Sequence, residues 1–413
     1  MKRTWTWRLL AALAFVASGP ANGAHSAYVT AARLEQAGNY REAEAIYRQE
    51  LDRHQQVLGP DDPDVAPVLS ALGRMRSALG DAAGAEPLLK QSVAILEKAG
   101  GPDEAPLAAS LSNPGALYLR GERWDDAEAV YRRSLAITKR HPGAESLEAA
   151  LLGNNLAAVA YGRQDYTGAA TLYRRSLAVL EKTVGPDHRE TATTLHNLAE
   201  LYRRQYRFLQ AEPLYRRALA IRERALGPEH PEVASTLCSL AGLYGSLGDF
   251  ARARDLYMRG LAIREKTLGR RHPEVATVLC NLGVIYRRQG QFRTAEQMLW
   301  RALSIWEQGP DAAPDNVARA LNNLAEFYLA QGKYAKAQPL LERLVEAREA
   351  APGRGKAELA STLEAVGGVY ESRGDYYKAE AIYRRLAAVQ GDDASQQKHA
   401  LMLVKVKRNG AVR

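Results

Sequence analysis

The sequence predicts an all-α chain built as a solenoid of stacked helical hairpins, and three observations carry that expectation. First, "LGPEHPEVASTLCSLAGLYGSLGDF" at 226–250 returns as "LGRRHPEVATVLCNLGVIYRRQGQF" at 268–292, with 13 of 25 positions identical at an offset of 42 residues. A fixed period of this size marks a repeat architecture. Second, the same offset carried along the chain lands on Ala43, Ala85, Ala127, Ala169, Ala211, Ala253, Ala295, Ala337 and Ala379, alanine at all nine steps. A column four residues further on reads Tyr47, Leu89, Tyr131, Tyr173, Tyr215, Tyr257, Leu299, Leu341 and Tyr383. Third, each period holds two apolar stripes at helical spacing. In 194–227 these are Leu195, Leu198, Ala199 and Tyr202, then Ala211, Leu214, Tyr215, Ala218 and Ile221. One hairpin cannot bury both of its stripes, so neighbours must cover them by stacking. A length of 413 residues would by itself suggest two or three globular domains; the repeat overrides that prior.

The elements follow in chain order. Met1–Ala24 places Lys2, Arg3 and Arg8 before the apolar run "LLAALAFVA" and small residues after it, the layout of a secretory signal peptide cleaved after Ala21 or Ala24, the alternative being an uncleaved amphiphilic start. Nine apolar residues are too few to span a bilayer, and no other stretch is apolar enough to do so. The expected organisation is a leader over 1–24, nine hairpins over 25–391, and a capping helix with a basic tail over 392–413, in a chain exported to a periplasm or secreted. In most hairpins a turn glycine, as at Gly38, Gly80, Gly248, Gly290, Gly332 and Gly374, supplies the left-handed conformation that ends a helix. The alanine column should lie where the paired helices come closest. Pro87, Pro213 and Pro339 fall near the start of second helices, where a missing donor does least harm. Pro114 falls inside a first helix and predicts a kink or a division there. The links "LGPEHP" and "LGRRHP" end one helix at glycine and start the next at proline, with His230 and His272, like His188, offering a ring to the connection. No second ligand at metal spacing accompanies any of the three, so their role is read as structural. Cys238 and Cys280 occupy equivalent sites one period apart; stacked helices set them roughly 8–10 Å apart, beyond disulfide reach, so both should be free.

The pattern N-L-A-x-L-Y, a glycine turn, A-E-x-L-Y-R-R-A-L-A-I and L-G-P-x-H-P-x-V-A resembles the 42-residue tetratricopeptide repeats of kinesin light chains and of bacterial proteins that share the variant. The likeness runs from residue 26 to about 390. It implies a right-handed superhelix with first helices lining a concave groove, and a role in holding proteins or peptides. It does not imply a motor partner, since the leader and the lack of the family's coiled-coil segment argue against that setting.

If first helices line the groove, its wall carries His196, Asn197, Glu200, Arg203 and Arg204 in repeat four, and Cys280, Asn281, Val284, Arg287 and Arg288 in repeat six. Arg120 belongs to the same row in repeat two. Repeat five offers only small residues, Cys238, Ser239, Gly242, Gly245 and Ser246. The expectation is a shallow pocket in which Arg203, Arg204, Arg287 and Arg288 attract an acidic peptide while Asn155, Asn197, Asn281 and Asn323 bond its backbone. The asparagine role follows from the family resemblance. The bland reading is an ordinary solvated face. The net charge of +9 and pI near 9.4 favour acidic partners in general. A second class of function, nucleic-acid or other polyanion binding, would use arginine pairs on second helices: Arg132 and Arg133, Arg174 and Arg175, Arg216 and Arg217, Arg384 and Arg385. Interspersed acids, the lack of exposed stacking aromatics and export count against it. No nucleophile with base and orienting partner, no phosphate loop and no metal spacing appears, so no enzyme, small-molecule substrate, cofactor or metal is expected.

Overall fold

The computed structural model describes residues 24–37, 39–100, 104–140, 146–308, 314–349 and 356–410. The proposed leader lies outside these residues apart from Ala24. Among them there are helices and no strand. They form two compact units, one reaching Ala225 and the other starting at Leu226.

The first unit contains five hairpins: α1 (Ala24–Ala37) with α2 (Tyr40–Leu58), α3 (Ala66–Ala78) with α4 (Ala82–Ala99), α5 (Ala105–Arg120) with α6 (Trp124–Thr138), α7 (Leu147–Gly162) with α8 (Tyr166–Thr183), and α9 (Arg189–Arg204) with α10 (Phe208–Leu226). A short 3-10 turn, Pro63–Val65, precedes α3. The second unit contains four hairpins: α11 (Pro231–Leu247) with α12 (Phe250–Leu268), α13 (Pro273–Arg288) with α14 (Phe292–Gln308), α15 (Pro314–Leu329) with α16 (Tyr334–Glu349), and α17 (Lys356–Ser372) with α18 (Tyr376–Gln390). A last helix, α19 (Asp393–Gly410), packs on α18. Within each unit, second helices pack on the first helix of the following hairpin, so the core is a series of thin layers.

The alanine column explains the closeness of each hairpin. All nine alanines are fully buried. On the facing first helices the matching positions are also small: a Cβ added to Gly73 or Gly283 would lie 2.6 Å from Leu89 or Leu299, and one added to Gly115 or Gly367 would lie 2.7 Å from Tyr131 or Tyr383. The large residues four places after each alanine therefore fill the space that these glycines leave. Turn glycines behave as their sequence position requires, with φ of +89° at Gly80, +82° at Gly248, +74° at Gly290, +66° at Gly332 and +75° at Gly374; Gly38 lies outside the described residues. Three consecutive repeats lack that glycine yet keep the backbone, with φ of +57° at Glu122, +66° at Gln164 and +60° at Tyr206.

The histidines of the links are helix caps. His188, His230 and His272 each accept, through Nδ1, the backbone N–H two residues on, from Glu190 (3.3 Å), Glu232 (3.2 Å) and Glu274 (3.2 Å). Asp81, Asp165, Asp249 and Asp375 cap second helices through the side-chain carboxylate, which accepts the backbone N–H three residues on. Both cysteines are free.

Two proline expectations need correction. Pro114 does not divide its helix, because α5 runs unbroken from Ala105 to Arg120. The proline is buried and its neighbour Gly115 is pressed against Tyr131, so tertiary packing on this stretch outweighs the lost hydrogen bond. Pro87, Pro213 and Pro339 are each the sixth residue of a second helix, past the first turn. The carbonyls left without a donor belong to Ala83, Leu209 and Ala335, all exposed, so water can satisfy them.

Candidate functional site

The rows singled out in the sequence fall in different units. In the first unit, α7 carries Asn155 half-buried, while its neighbour Asn154 is buried and donates from Nδ2 to Thr194 Oγ1 at 2.6 Å. On α9, Asn197 is only 8% exposed and Glu200 is buried too. Arg203 donates to Glu200 through Nε (3.1 Å) and Nη2 (2.5 Å), and the Tyr215 hydroxyl donates to the same carboxylate at 2.6 Å. Burial by itself would lower the Arg203 pKa, but the Glu200 contacts more than offset it and hold the guanidinium firmly charged. His196 meets the Tyr215 ring edge-on at 5.5 Å, and burial, with Arg222 nearby, pushes its pKa down to about 3. This face of α9 is thus a packed polar network. Arg204 is its exposed member; a hydrogen bond with the Tyr166 hydroxyl raises its pKa. Arg120, in the same row, donates from Nη1 to Ser77 O at 2.9 Å.

In the second unit, Cys238 and Ser239 on α11 are half-buried, and the Cys238 thiol, raised in pKa by burial, faces Gly260, where a Cβ would lie 2.7 Å from Sγ. On α13, Cys280 is 1% exposed and accepts from Asn323 Nδ2 at 2.9 Å, which spends that asparagine's donor inside the fold. Asn281 is half-buried. Arg287 Nη2 lies 3.8 Å from Glu326 Oε2 on α15, whereas Arg288 is exposed with no acidic partner among the described residues. Each arginine pair is therefore split, one member held by a glutamate and the other offered to solvent.

Sequence reasoning missed a hollow of about 180 Å³ where α15 and α17 come together over Leu341. Asn322, which donates to Glu326 Oε1 at 2.7 Å, lines it with Leu329, Ser361 and Thr362. The signal was available: Asn322, Ala325, Glu326 and Leu329 fall at i, i+3, i+4 and i+7 of one helix face. The first unit has a surface hollow of about 360 Å³ beside Arg41, Glu44, Arg48 and Leu79, where Glu44 already pairs with Arg48 and Arg76.

Outside these faces, charge is largely spent on a ladder. Arg133 pairs with Glu97 and Arg217 with Glu181 (2.7 Å) in the first unit; Arg301 pairs with Glu265 (2.5 Å), Arg343 with Glu307 and Arg385 with Glu349 in the second. Each rung joins one second helix to the next at a spacing of 36 residues. Arg132 and Arg216 pair with Glu128 and Glu212 on their own helices. One rung is inverted, because the position 36 residues before Arg175 is Lys139. No group of three or more His, Cys, Asp or Glu among the described residues could hold a metal, and no described helix is long and apolar enough to cross a membrane.

The stacked hairpins, their small-residue columns and their polar first-helix faces define a repeat scaffold of the kind that binds proteins. The tetratricopeptide-repeat family model matches residues 26–98, 76–140, 147–224, 191–266, 253–308 and 316–390, and the chain belongs to that family. Among solved structures it is similar to a Rap protein complexed with Competence and Sporulation Factor, at 14% identity and a TM-score of 0.56, covering 92% of this chain and 100% of that one. The apo form of RapI is similar too, at 14% identity and a TM-score of 0.55 over 84% of this chain and 99% of that one. BtubC (BKLC) of P. vanneervenii shares 23% identity over 60% of this chain and 93% of its own, with a TM-score of 0.44. The likeness to the two Rap structures establishes the fold. No curated protein matches the chain.

Proposed function

We propose that this protein is a non-enzymatic scaffold that holds extended, acidic segments of partner proteins on the faces of its first helices. One observation carries the reading. Arg204 and Arg288 are exposed cations on first helices, while the second-helix arginines Arg132, Arg133, Arg216, Arg217, Arg301, Arg343 and Arg385 are neutralised by glutamates of the same helix or the preceding hairpin. A carboxylate-bearing segment would meet a charge there that the fold has not already used. Asn155 on α7 and Asn281 on α13, both half-buried, supply side-chain donors and acceptors for a peptide backbone, and Ser239 on α11 a hydroxyl. Asn197, Asn323, Cys238 and Cys280 support the faces from within. The Rap structure with Competence and Sporulation Factor shows a chain of this fold solved with a bound partner. Export belongs to the same proposal and rests on the layout of Met1–Ala24; fractionation of cells making the full chain tests it, and a wholly cytosolic, full-length product overturns it.

Fluorescence anisotropy with a labelled polyglutamate peptide tests the binding reading. Arg204→Glu and Arg288→Glu, separately and together, should each weaken capture, and the double variant should abolish it. Unchanged capture by the double variant overturns the proposal.

A further inference from the structure

The far end of the second unit carries a surface that peptide capture does not use. Helix α19 packs on α18 through one face only. Its inward side holds Ser395 and Met402, both buried, and directs its polar groups to acids of the preceding helices: Lys398 to Glu364, His399 to Glu380 (2.8 Å) and Lys405 to Glu371. Its outward side is made of two adjacent rows, Gln396, Ala400, Leu403 and Lys407, and Gln397, Leu401, Val404 and Arg408, all exposed. Leu401 is 53% exposed, Leu403 40% and Val404 47%, three aliphatic side chains turned to solvent on one helix face. Lys407 and Arg408 follow these residues with no acidic partner among the described residues. From Ala394 to the last residue the sequence contains no Asp or Glu at all. The Lys405 ammonium lies 5.6 Å above the Tyr376 ring, which sets the start of α18 beside this basic end, and the next residue, Tyr377, is exposed.

An outward face of aliphatic residues ending in unpaired cations, with an exposed tyrosine at the same end, has the composition of a helix that lies in the interface of a charged bilayer. A second copy fits it less well, since the chain is strongly cationic and two such faces would add like charge to like. We infer that the outward face of α19 docks on an anionic phospholipid surface, with Leu401, Leu403 and Val404 entering the acyl boundary and Lys407 and Arg408 at the headgroups.

The test is hydrogen exchange of the full chain, read by mass spectrometry over residues 396–408, so that attachment elsewhere in the chain does not count. Vesicles of equal parts phosphatidylglycerol and phosphatidylcholine should slow exchange there, and vesicles of phosphatidylcholine alone should not. In the Lys407→Gln, Arg408→Gln variant the lipid concentration giving half protection should rise about thirtyfold; in the Leu401→Ser, Val404→Ser variant it should rise at least about tenfold. Both pairs lie on the exposed face, and unchanged circular dichroism confirms that the hairpins persist. Equal protection by both vesicle types, or none by either, overturns the inference. So does protection that grows with protein concentration in the absence of lipid, which points to a second copy. Protection by polyglutamate that survives the Leu401→Ser, Val404→Ser change points to an acidic peptide and overturns it equally.

Discussion

Replacing Tyr206 with glycine should stabilise this protein, although removing an aromatic usually does the reverse. Tyr206 occupies a left-handed conformation at φ +60°, in the column where five other repeats have glycine in the same backbone state. It is 82% exposed, and its ring makes one edge contact, 6.0 Å from Phe208, so it contributes little packing to offset the strain. A left-handed non-glycine residue costs about 1–2 kcal/mol. Glycine returns about 0.4–1 kcal/mol of that through the freedom it gives the unfolded chain. The net gain is about 0.5–1 kcal/mol. The mirror experiment is Gly248→Ala: an added Cβ meets nothing within 4 Å, so the cost is purely that of the backbone, and a loss of similar size is expected. Thermal unfolding followed by far-ultraviolet circular dichroism should move up by about 2 °C for Tyr206→Gly and down comparably for Gly248→Ala. Glu122→Gly and Gln164→Gly, each in its own hairpin, should add to the first shift. A fall in midpoint for Tyr206→Gly, or a rise for Gly248→Ala, would refute the reasoning.

Acidification should weaken the first unit between pH 6.5 and about 3, because His196 is held neutral in the fold while the unfolded chain takes up the proton. Stability is full above the unfolded pKa of about 6.5; by pH 5 as much as about 2 kcal/mol should be lost, and His196→Gln should flatten that slope in urea titrations. His188, and His272 in the second unit, whose pKa values burial also lowers, must stay unprotonated at Nδ1 to cap their helices, so acid should weaken each one's own unit. Gly283→Leu should cost about 1–3 kcal/mol or more, since even a first carbon would lie 2.6 Å from Leu299; a neutral result in denaturant titration would mean that the hairpin can open. At the inverted rung, Arg175→Glu should be neutral or stabilising by up to about 1 kcal/mol, whereas Arg133→Glu should destabilise; the same sign for both would show that the ladder has no energetic role.

The hairpins, their number and their closest approach were legible because each rests on one residue type returning at one offset. The structural role of the link histidines was legible, since a glycine before each and a proline after His230 and His272 place the ring in a connection; that the ring caps the next helix was not. The free thiols were legible from the same arithmetic. What escaped was the pairing between columns. Glu200 and Arg203 read as two solvated residues on a polar face, yet the Tyr215 hydroxyl from the second helix draws them into one network. Glu326 comes to Arg287 from the next hairpin, and the ladder glutamates come from 36 residues away, distances that no single-helix wheel contains. Pro114 misled because intrinsic propensity is weak beside packing on a helix buried from Ser110 to Leu119. The strained turns at Glu122, Gln164 and Tyr206 could have been found by extending the turn-glycine column through every period.

The columns of missing side chains have a further consequence for how such a molecule can change. Each hairpin is closed by the same few atoms, so within either unit the number of hairpins is a counted quantity, and adding or removing one whole period presents its neighbours with surfaces they already fit. A cut of any other size would set leucine or tyrosine against alanine out of phase and leave both sides ajar. Growth and loss by entire modules, with each face free to vary between, is what this geometry permits.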